Sequence, residues 1–190
     1  PETLLKVENN CFTTMALAGT QVYKEGVAPK WNPKEIEEQK IVTDYIVNKL
    51  SIFSKELKIS ETETVKAGSL LHLRTEIKGE LDVVKENGLF SLVDLLHPTP
   101  AVCGLPKEAA KQFILVNENY KRSYYTGFLG ELNMGELHQN DSHLFVNLRC
   151  MEIKNNEALI FVGGGITKES NPEKEWEETV SKSDIMLKVL

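Results

Sequence analysis

The sequence lacks three features, and each absence argues against a class of protein. Its three cysteines are widely spaced and form no C-x-x-C pair, which argues against a disulfide framework or a zinc site. No apolar run reaches the roughly 20 residues of a membrane-spanning helix, and no signal-peptide pattern occurs. The net charge is −6, and lysines and arginines form no cluster, which argues against nucleic-acid binding. We therefore expect a cytoplasmic protein with no membrane or nucleic-acid partner.

The sequence does contain enough apolar residues for one core. Hydrophobic residues make up 41% of the 190 residues and aromatic residues 7%, an ordinary composition for one globular domain. The chain opens at Pro1 without an initiator methionine and enters an apolar–polar pattern at once. We therefore expect residues 1–190 to be a single domain that is a fragment of a longer protein.

A run of three glycines at 163–165 connects a short apolar strand to a helix near the end of the chain. Consecutive glycines indicate a backbone that turns sharply or lies bare against another group. Asn171 can cap the following helix, and Pro172 suits its first turn. The 3.6-residue period predicts that this helix buries one apolar face. That face consists of Trp176, Val180, Leu187 and Leu190.

A neighbouring face of the same helix carries two acids and a base. Glu175, Glu178 and Lys182 fall within roughly 60° of one another, since each residue turns a helix by about 100°. A solvated face with an i,i+4 ion pair explains this spacing, and so does a binding site. The spacing by itself leaves both explanations open.

Glu38 presents a similar choice on an earlier helix. Residues 4–20 read as two strands joined by a turn, and a helix follows from Pro33 to Leu50, opened by an Asn-Pro pair. Glu38 lies in line with the apolar stripe of this helix. A carboxylate on an inward face must be neutralised, paired or bound to a metal. The alternative is a partly exposed glutamate at the edge of the stripe.

The remaining patterns alternate between strands and helices. His72 lies near the middle of a predicted strand, and a strand histidine is usually structural. Arg149 projects from the middle of another predicted strand, where it must reach water or meet an anion. This order predicts an α+β fold of antiparallel, sandwich-like sheets with helices packed outside. The predicted segments are strands at 67–77, 123–130 and 144–153, helices at 89–96 and 106–119, and a rigid loop with two prolines at 97–104.

Taken in order, the motifs resemble those of the chorismate-utilising enzymes. The resemblance extends over nearly the whole chain and depends on the series, because no single motif is decisive. The matching segments are P-E-T-L-L at the start, A-L-A-G-T at 16–20, K-E-I-E-E-Q at 34–39, H-L-R-T at 72–75, H-P-T-P-A-V at 97–102, L-R-C at 148–150 and E-W-E-E-T at 175–179.

This resemblance implies a site for chorismate and Mg²⁺. Glu38 and Glu178 would bind the metal, with Glu175 assisting. Glu2 would be the general acid that protonates the leaving hydroxyl, and His72 would face the substrate ring as a second catalytic residue. The residues implied to contact chorismate are Gly19, Thr20, Ala101, Val102, Tyr125, Arg149, Gly164, Gly165 and Lys182.

Within the family, Ala101 resembles the residue of isochorismate synthases, in which water adds at ring carbon 2 and the hydroxyl at carbon 4 leaves. The product would enter menaquinone or siderophore biosynthesis. The general-base lysine of the family is expected N-terminal to this chain, so we expect the chain alone to be inactive. The alternatives are a salicylate synthase, an anthranilate or aminodeoxychorismate synthase, and a non-catalytic chorismate-binding homologue.

Overall fold

The chain combines antiparallel sheets with helices in a computed structural model that describes residues 2–54, 56–81, 88–134 and 141–190. Pro1, which opens the P-E-T-L-L motif, lies outside the described residues. The predicted α+β class is confirmed. The elements in chain order are β1 (Glu2–Glu8), β2 (Cys11–Val22), α1 (Pro33–Leu50), β3 (Leu57–Ile59), β4 (Glu63–Ala67), β5 (Leu70–Glu80), α2 (Gly88–Leu96), α3 (Lys107–Asn117), β6 (Phe128–Glu131), β7 (Ser142–Val146), β8 (Cys150–Lys154), β9 (Glu157–Phe161) and α4 (Pro172–Leu187).

The main sheet has the strand order β3-β5-β2-β1-β7-β6, with β4 also paired to β5. At its centre, β1 and β2 form a hairpin whose turn residues, Asn9 and Asn10, have φ angles of 48° and 64°. Two successive positive φ angles are typical of a type I′ turn, whose twist matches that of the flanking strands. β2 then pairs antiparallel with β5 along its whole length. The predicted strand pair over residues 4–20 is therefore confirmed.

The core lies where α1 and α2 pack against this sheet. Helix α1 begins at Pro33 and ends at Leu50, as predicted, and its apolar stripe is buried. Burying each such side chain contributes roughly 1.5–3 kcal/mol. No helix within the described ranges is long and apolar enough to cross a membrane. The buried core includes Leu4, Leu5, Phe12, Ala16, Val42, Ile46, Leu50, Ile77, Leu92 and Leu96.

The predicted continuous strand over 144–153 is wrong. The chain leaves the main sheet at Val146, and β8 begins at Cys150 in a separate two-stranded sheet with β9. Between them, the Asn147 N–H donates to the Gly127 carbonyl at 2.8 Å, and Arg149 has a φ of 27°. A residue with positive φ cannot continue a regular ladder, so Arg149 lies at a break between two strands and not in the middle of one.

The predicted strand over 123–130 is also shorter than expected. Residues 123–126 form a turn, and β6 begins only at Phe128. Strands β8 and β9 form a hairpin whose turn residues, Asn155 and Asn156, have φ angles of 51° and 66°. The polar segment after α1 contributes β3 and β4, which the sequence patterns did not predict.

Helix α4 begins as predicted but turns a different face inward. The Lys174 N–H donates to Asn171 Oδ1 at 3.0 Å, which caps the helix. The prediction of a buried apolar face is wrong: Trp176 is 71% exposed, and Val180, Leu187 and Leu190 are exposed as well. Leu190 lies beyond the helix end. The buried side chain of α4 is Glu175, which faces a lysine of α1, and this ion pair orients the helix.

Candidate active site

Three carboxylates and two ammonium groups meet where α1 approaches α4. Lys34 donates a hydrogen bond to Glu175 Oε1, and its Nζ lies 3.3 Å from Glu38 Oε1. The Lys182 Nζ lies 2.6 Å from Glu178 Oε1 and donates to the Gly163 carbonyl at 2.9 Å. The side chains of Glu175 and Lys182 are only 8% and 13% exposed. The acid and base residues of α4 therefore form a partly buried cluster, and the solvated-face explanation is wrong.

The glycine run lies against this cluster. A Cβ atom on Gly164 would lie 3.5 Å from Glu178 Oε1 and 3.6 Å from Glu175 Oε2. A Cβ on Gly163 would lie only 2.5 Å from the hydroxyl oxygen of Tyr125, closer than van der Waals contact permits. The predicted bare backbone is thus found at Gly163 and Gly164. Gly165 has nothing within 4 Å of its Cβ position, so its predicted substrate contact stays a prediction.

The cluster holds more negative charge than its lysines satisfy. Burial raises the pKa of Glu38, and the charges of Glu178 and Glu175 add to the rise, while Lys34 opposes it. Burial lowers the pKa of Lys34, but the hydrogen bond with Glu175 and the charge of Glu38 outweigh it, and its pKa is raised overall. Glu175 Oε2 is buried without a hydrogen-bond partner in the described structure. An unpaired buried carboxylate oxygen favours a bound cation.

These residues fit a hard divalent cation in the chemistry of their donors. Mg²⁺ prefers carboxylate oxygens as ligands and retains several waters. Glu175 Oε2, which is unpaired and lies beside the bare backbone of Gly164, is an oxygen of this kind. Within the described ranges, no three acidic, histidine or cysteine side chains converge as a finished metal shell. The Lys34 and Lys182 ammonium groups pair with the same carboxylates. The metal-binding roles of Glu38, Glu175 and Glu178 stay predictions.

A second group of polar residues surrounds the start of β1. Burial raises the pKa of Glu2 to about 8, against the opposing charge of Arg149. The carboxyl group of Glu2 therefore keeps its proton at neutral pH and can donate it. The Arg149 guanidinium makes no hydrogen bond or ion pair to any other described residue. A partly buried arginine without a partner is suited to bind an anion.

His72 lies on β5, opposite the bulge in β2. Its Nδ1 is 3.0 Å from the Gly19 carbonyl oxygen and 3.3 Å from Thr20 Oγ1. Burial lowers its pKa to about 4, so the ring is neutral at pH 7. Because the carbonyl can only accept, Nδ1 carries the hydrogen. The buried Nε2 then presents a lone pair that nothing in the described structure uses.

Gly19 allows this contact because of its backbone conformation. Its φ is 71°, at the register shift between Ala18 and Thr20, and a Cβ would lie 3.0 Å from the Cβ of Glu35. The A-L-A-G-T motif is therefore a β-bulge that aims a carbonyl at His72. The predicted group of Gly19, Thr20 and His72 is brought together.

The other predicted substrate-binding residues are Ala101, Val102 and Tyr125. Ala101 and Val102 pack partly buried against the main core, and the Val102 carbonyl accepts a hydrogen bond from Arg122 at 3.3 Å. Tyr125 stacks on Phe161, with ring centroids 5.5 Å apart, and its hydroxyl reaches the glycine run. Of these three, only Tyr125 approaches the carboxylate cluster in the described structure.

Two residues of the site were missed from the sequence. Lys34 pairs with both Glu38 and Glu175, and its i,i+4 spacing from Glu38 was the available signal. Gln39 is buried, and its Nε2 donates to the Ala16 carbonyl at 3.0 Å and to Thr75 Oγ1 at 3.1 Å. A glutamine next to Glu38 on an inward face indicates such a network, since a buried amide requires partners.

The fold and site together define an α+β protein in which a partly buried cluster of carboxylates and lysines lies where α1 approaches α4. The charges of Arg149 and Lys182 both act on His72, and the charge of Arg149 also acts on Glu2, so these four side chains lie near one another. The chain belongs to the family described as chorismate binding enzyme, which it matches over residues 1–190.

Curated relatives carry one activity in their names. The chain is 33% identical over 158 residues to isochorismate synthase DhbC of Bacillus subtilis, covering 83% of this chain and 38% of the relative. It is 31% identical over 198 residues to isochorismate synthase EntC of Escherichia coli, covering 100% of this chain and 49% of the relative. The chain therefore spans half or less of the length of these relatives.

A solved structure shows the same fold. The menaquinone-specific isochorismate synthase MenF of Escherichia coli superposes with a TM-score of 0.81 at 28% sequence identity. The match covers 97% of this chain and 43% of that chain. The described architecture is thus that of one part of a larger enzyme of known fold.

Proposed function

We propose that this chain forms the chorismate-binding, C-terminal part of an isochorismate synthase. The observation that carries the proposal is the burial of Glu2, which is 9% exposed; burial raises its pKa to about 8, which suits a general acid at neutral pH. The guanidinium of Arg149, which has no hydrogen-bond or ion-pair partner among the described residues, lies near enough to Glu2 for its charge to oppose that pKa rise. The names of relatives about 30% identical to this chain support the same reaction.

In the proposed reaction, water adds at ring carbon 2 of chorismate and the hydroxyl at carbon 4 leaves as water. Glu2 donates the proton that the departing hydroxyl requires. Arg149 and Lys182 hold the substrate carboxylates by charge-assisted hydrogen bonds, and the free Nε2 lone pair of His72 accepts a hydrogen bond from the ligand. We expect the lysine that deprotonates the attacking water to come from outside these 190 residues.

We also propose Mg²⁺ as the cofactor, held by Glu38 and Glu178 with Glu175 assisting. When bound, the ion supplies positive charge against a substrate carboxylate. The protein contributes the orientation of the three carboxylates, which come from α1 and α4. The bare backbone of Gly164 leaves room beside two of them.

The test is a coupled assay of isochorismate formation with the full-length protein that contains this chain. Glu2→Gln should lower kcat by about 10²-fold or more, and Glu38→Gln and Glu178→Gln should abolish the Mg²⁺-dependent rate. Glu37→Gln is the matched control, because Glu37 is exposed on the same helix and should have no effect.

The same assay distinguishes the alternatives. Conversion of chorismate to salicylate or anthranilate would keep the family and contradict the proposed product. Binding of chorismate without turnover, measured by isothermal titration in the presence of Mg²⁺, would favour a non-catalytic homologue. A relative named vibriobactin-specific and a solved structure named menaquinone-specific isochorismate synthase both match the chain, so we propose that the product enters siderophore or menaquinone biosynthesis.

A further inference from the structure

Lys34 occupies the centre of the carboxylate cluster. Its ammonium donates to Glu175 Oε1 and lies 3.3 Å from Glu38 Oε1, although Lys34 and Glu175 are 141 residues apart in sequence. The side chains of Lys34, Glu38 and Glu175 are 20%, 16% and 8% exposed. A partly buried ammonium between two carboxylates from different helices is a specific contact, because a desolvated charge is retained only with a partner.

We infer that Lys34 is a built-in counter-cation of this cluster that a divalent metal must displace, and that Lys34 thereby sets the metal affinity of the site. The inference rests on the proposed Mg²⁺ site. Mg²⁺ binds carboxylate oxygens at about 2.1 Å, and the Lys34 ammonium already uses Oε1 of Glu175 and approaches Oε1 of Glu38. Two cations cannot share these oxygens at close range without strong repulsion.

Lys182, the second lysine of the cluster, makes a different set of contacts. Lys182 pairs with Glu178 and also donates to the Gly163 carbonyl, so it fixes the glycine run to α4. Lys34 makes no backbone contact of this kind in the described structure; its partners are the two carboxylates. Removing the Lys34 charge should therefore change the electrostatics of the metal site while leaving the glycine run attached.

Two opposite effects follow from this role. Without metal, Lys34 neutralises Glu38 and Glu175 and so stabilises the approach of α4 to α1. When the metal is bound, it neutralises these carboxylates instead, and the positive charge of Lys34 then repels the metal ion. A neutral side chain at position 34 should thus weaken the metal-free protein and tighten metal binding, a combination that a merely structural ion pair would not produce.

The test compares Lys34→Met with wild type by isothermal titration of Mg²⁺ into this chain at constant ionic strength. We expect the Kd for Mg²⁺ to fall at least tenfold and the metal-free melting temperature to fall, with the loss recovered at saturating Mg²⁺. Lys40→Met is the matched control, because Lys40 pairs with Asp44 at the same i,i+4 spacing on α1 but is exposed. It should change the Kd by less than twofold.

A measurement on the wild type decides the question if Lys34→Met does not fold. With ¹³C-labelled lysine, the Cε resonance of Lys34 should shift on titration with Mg²⁺, whereas that of Lys40 should not. Two results would overturn the inference but keep the metal site. In the first, the wild type binds Mg²⁺ but the Lys34 resonance does not shift. In the second, Lys34→Met binds Mg²⁺ no more tightly than the wild type. Absence of Mg²⁺ binding by wild type and variant alike overturns both.

Discussion

Helices α1 and α4 both begin with an Asn-Pro pair, yet α1 buries apolar side chains and α4 buries a carboxylate. In α1 the apolar stripe of Val42, Ile46 and Leu50 packs into the core. In α4 the buried side chain is Glu175, and the apolar stripe faces outward. Within the described residues, α1 is therefore held by removal of apolar area from water, whereas the buried contact of α4 is the ion pair between Glu175 and Lys34.

The difference explains where the candidate site lies. One carboxylate comes from the well-packed helix and two come from the helix that is held mainly by charge. The geometry of the cluster consequently depends on the charges within it, since few apolar contacts fix α4 against the rest of the described chain. Substitutions that remove apolar packing should therefore destabilise α1, whereas substitutions that remove charge should disturb the position of α4.

The largest expected effect comes from a matched pair of leucines at the helix ends. Leu50 is the last residue of α1 and is 0% exposed, whereas Leu187 is the last residue of α4 and is 50% exposed. Leu50→Ala should lower the free energy of unfolding by about 2–5 kcal/mol, because it leaves a cavity in the core. Leu187→Ala should change it by less than about 1 kcal/mol. Urea denaturation of both variants measures the difference, and equal losses would contradict the contrast between the helices.

A smaller effect concerns the buried groups on the sheet side of the site. Glu2 has a pKa of about 8 in the fold and 4.5 as its ordinary value, so unfolding releases a proton between these pH values. Stability should therefore fall as pH rises, by up to about 1.4 kcal/mol per pH unit. His72, with a pKa lowered from 6.5 to about 4, has the opposite effect, but only below pH 6.5. Between pH 6.5 and 8 the decline from Glu2 is no longer offset by His72.

Glu2→Gln should flatten this decline in urea denaturation at pH 6.5, 7.2 and 8. Glu8→Gln is the control on the same strand, because Glu8 is exposed and should leave the slope as in wild type. A Glu2→Gln variant that loses stability with pH as steeply as wild type would show that Glu2 is ionised in the fold. It would then also remove the basis for Glu2 as the general acid.

The sequence was informative where local signals agree with packing. Pro33 and Leu50 were both predicted as the bounds of α1, since the Asn-Pro start and the apolar stripe indicate the same helix. Glu38, Glu175 and Glu178 do come together. Because Glu38 is far from the other two in sequence, only the family resemblance predicted this. The apolar stripe of α4 misled, because amphipathicity states which face is apolar and not whether another element covers it.

The errors in the strands have a related cause. The break at Arg149 was missed because the side chains on either side of it still alternate, and a positive φ leaves no trace in an alternation pattern. The short strands β3 and β4 are largely exposed, so they carry no apolar alternation to find. Lys34 was missed because its second partner, Glu175, lies on another helix.

The smallest predicted effect tests how tightly the glycine run is held between the two regions. Gly163→Ala would place a methyl group 2.5 Å from the Tyr125 hydroxyl oxygen, and Tyr125 is buried against Phe161. The movement that relieves this overlap should lower the free energy of unfolding by about 1–2 kcal/mol. It should also weaken the hydrogen bond from Lys182 to the Gly163 carbonyl. Gly165→Ala meets nothing within 4 Å and should be neutral or slightly stabilising, because alanine restricts the unfolded chain. Urea denaturation of the two variants separates these outcomes. Equal stability of both would mean that Tyr125 moves aside freely and that α4 and its glycine run are positioned by charge alone.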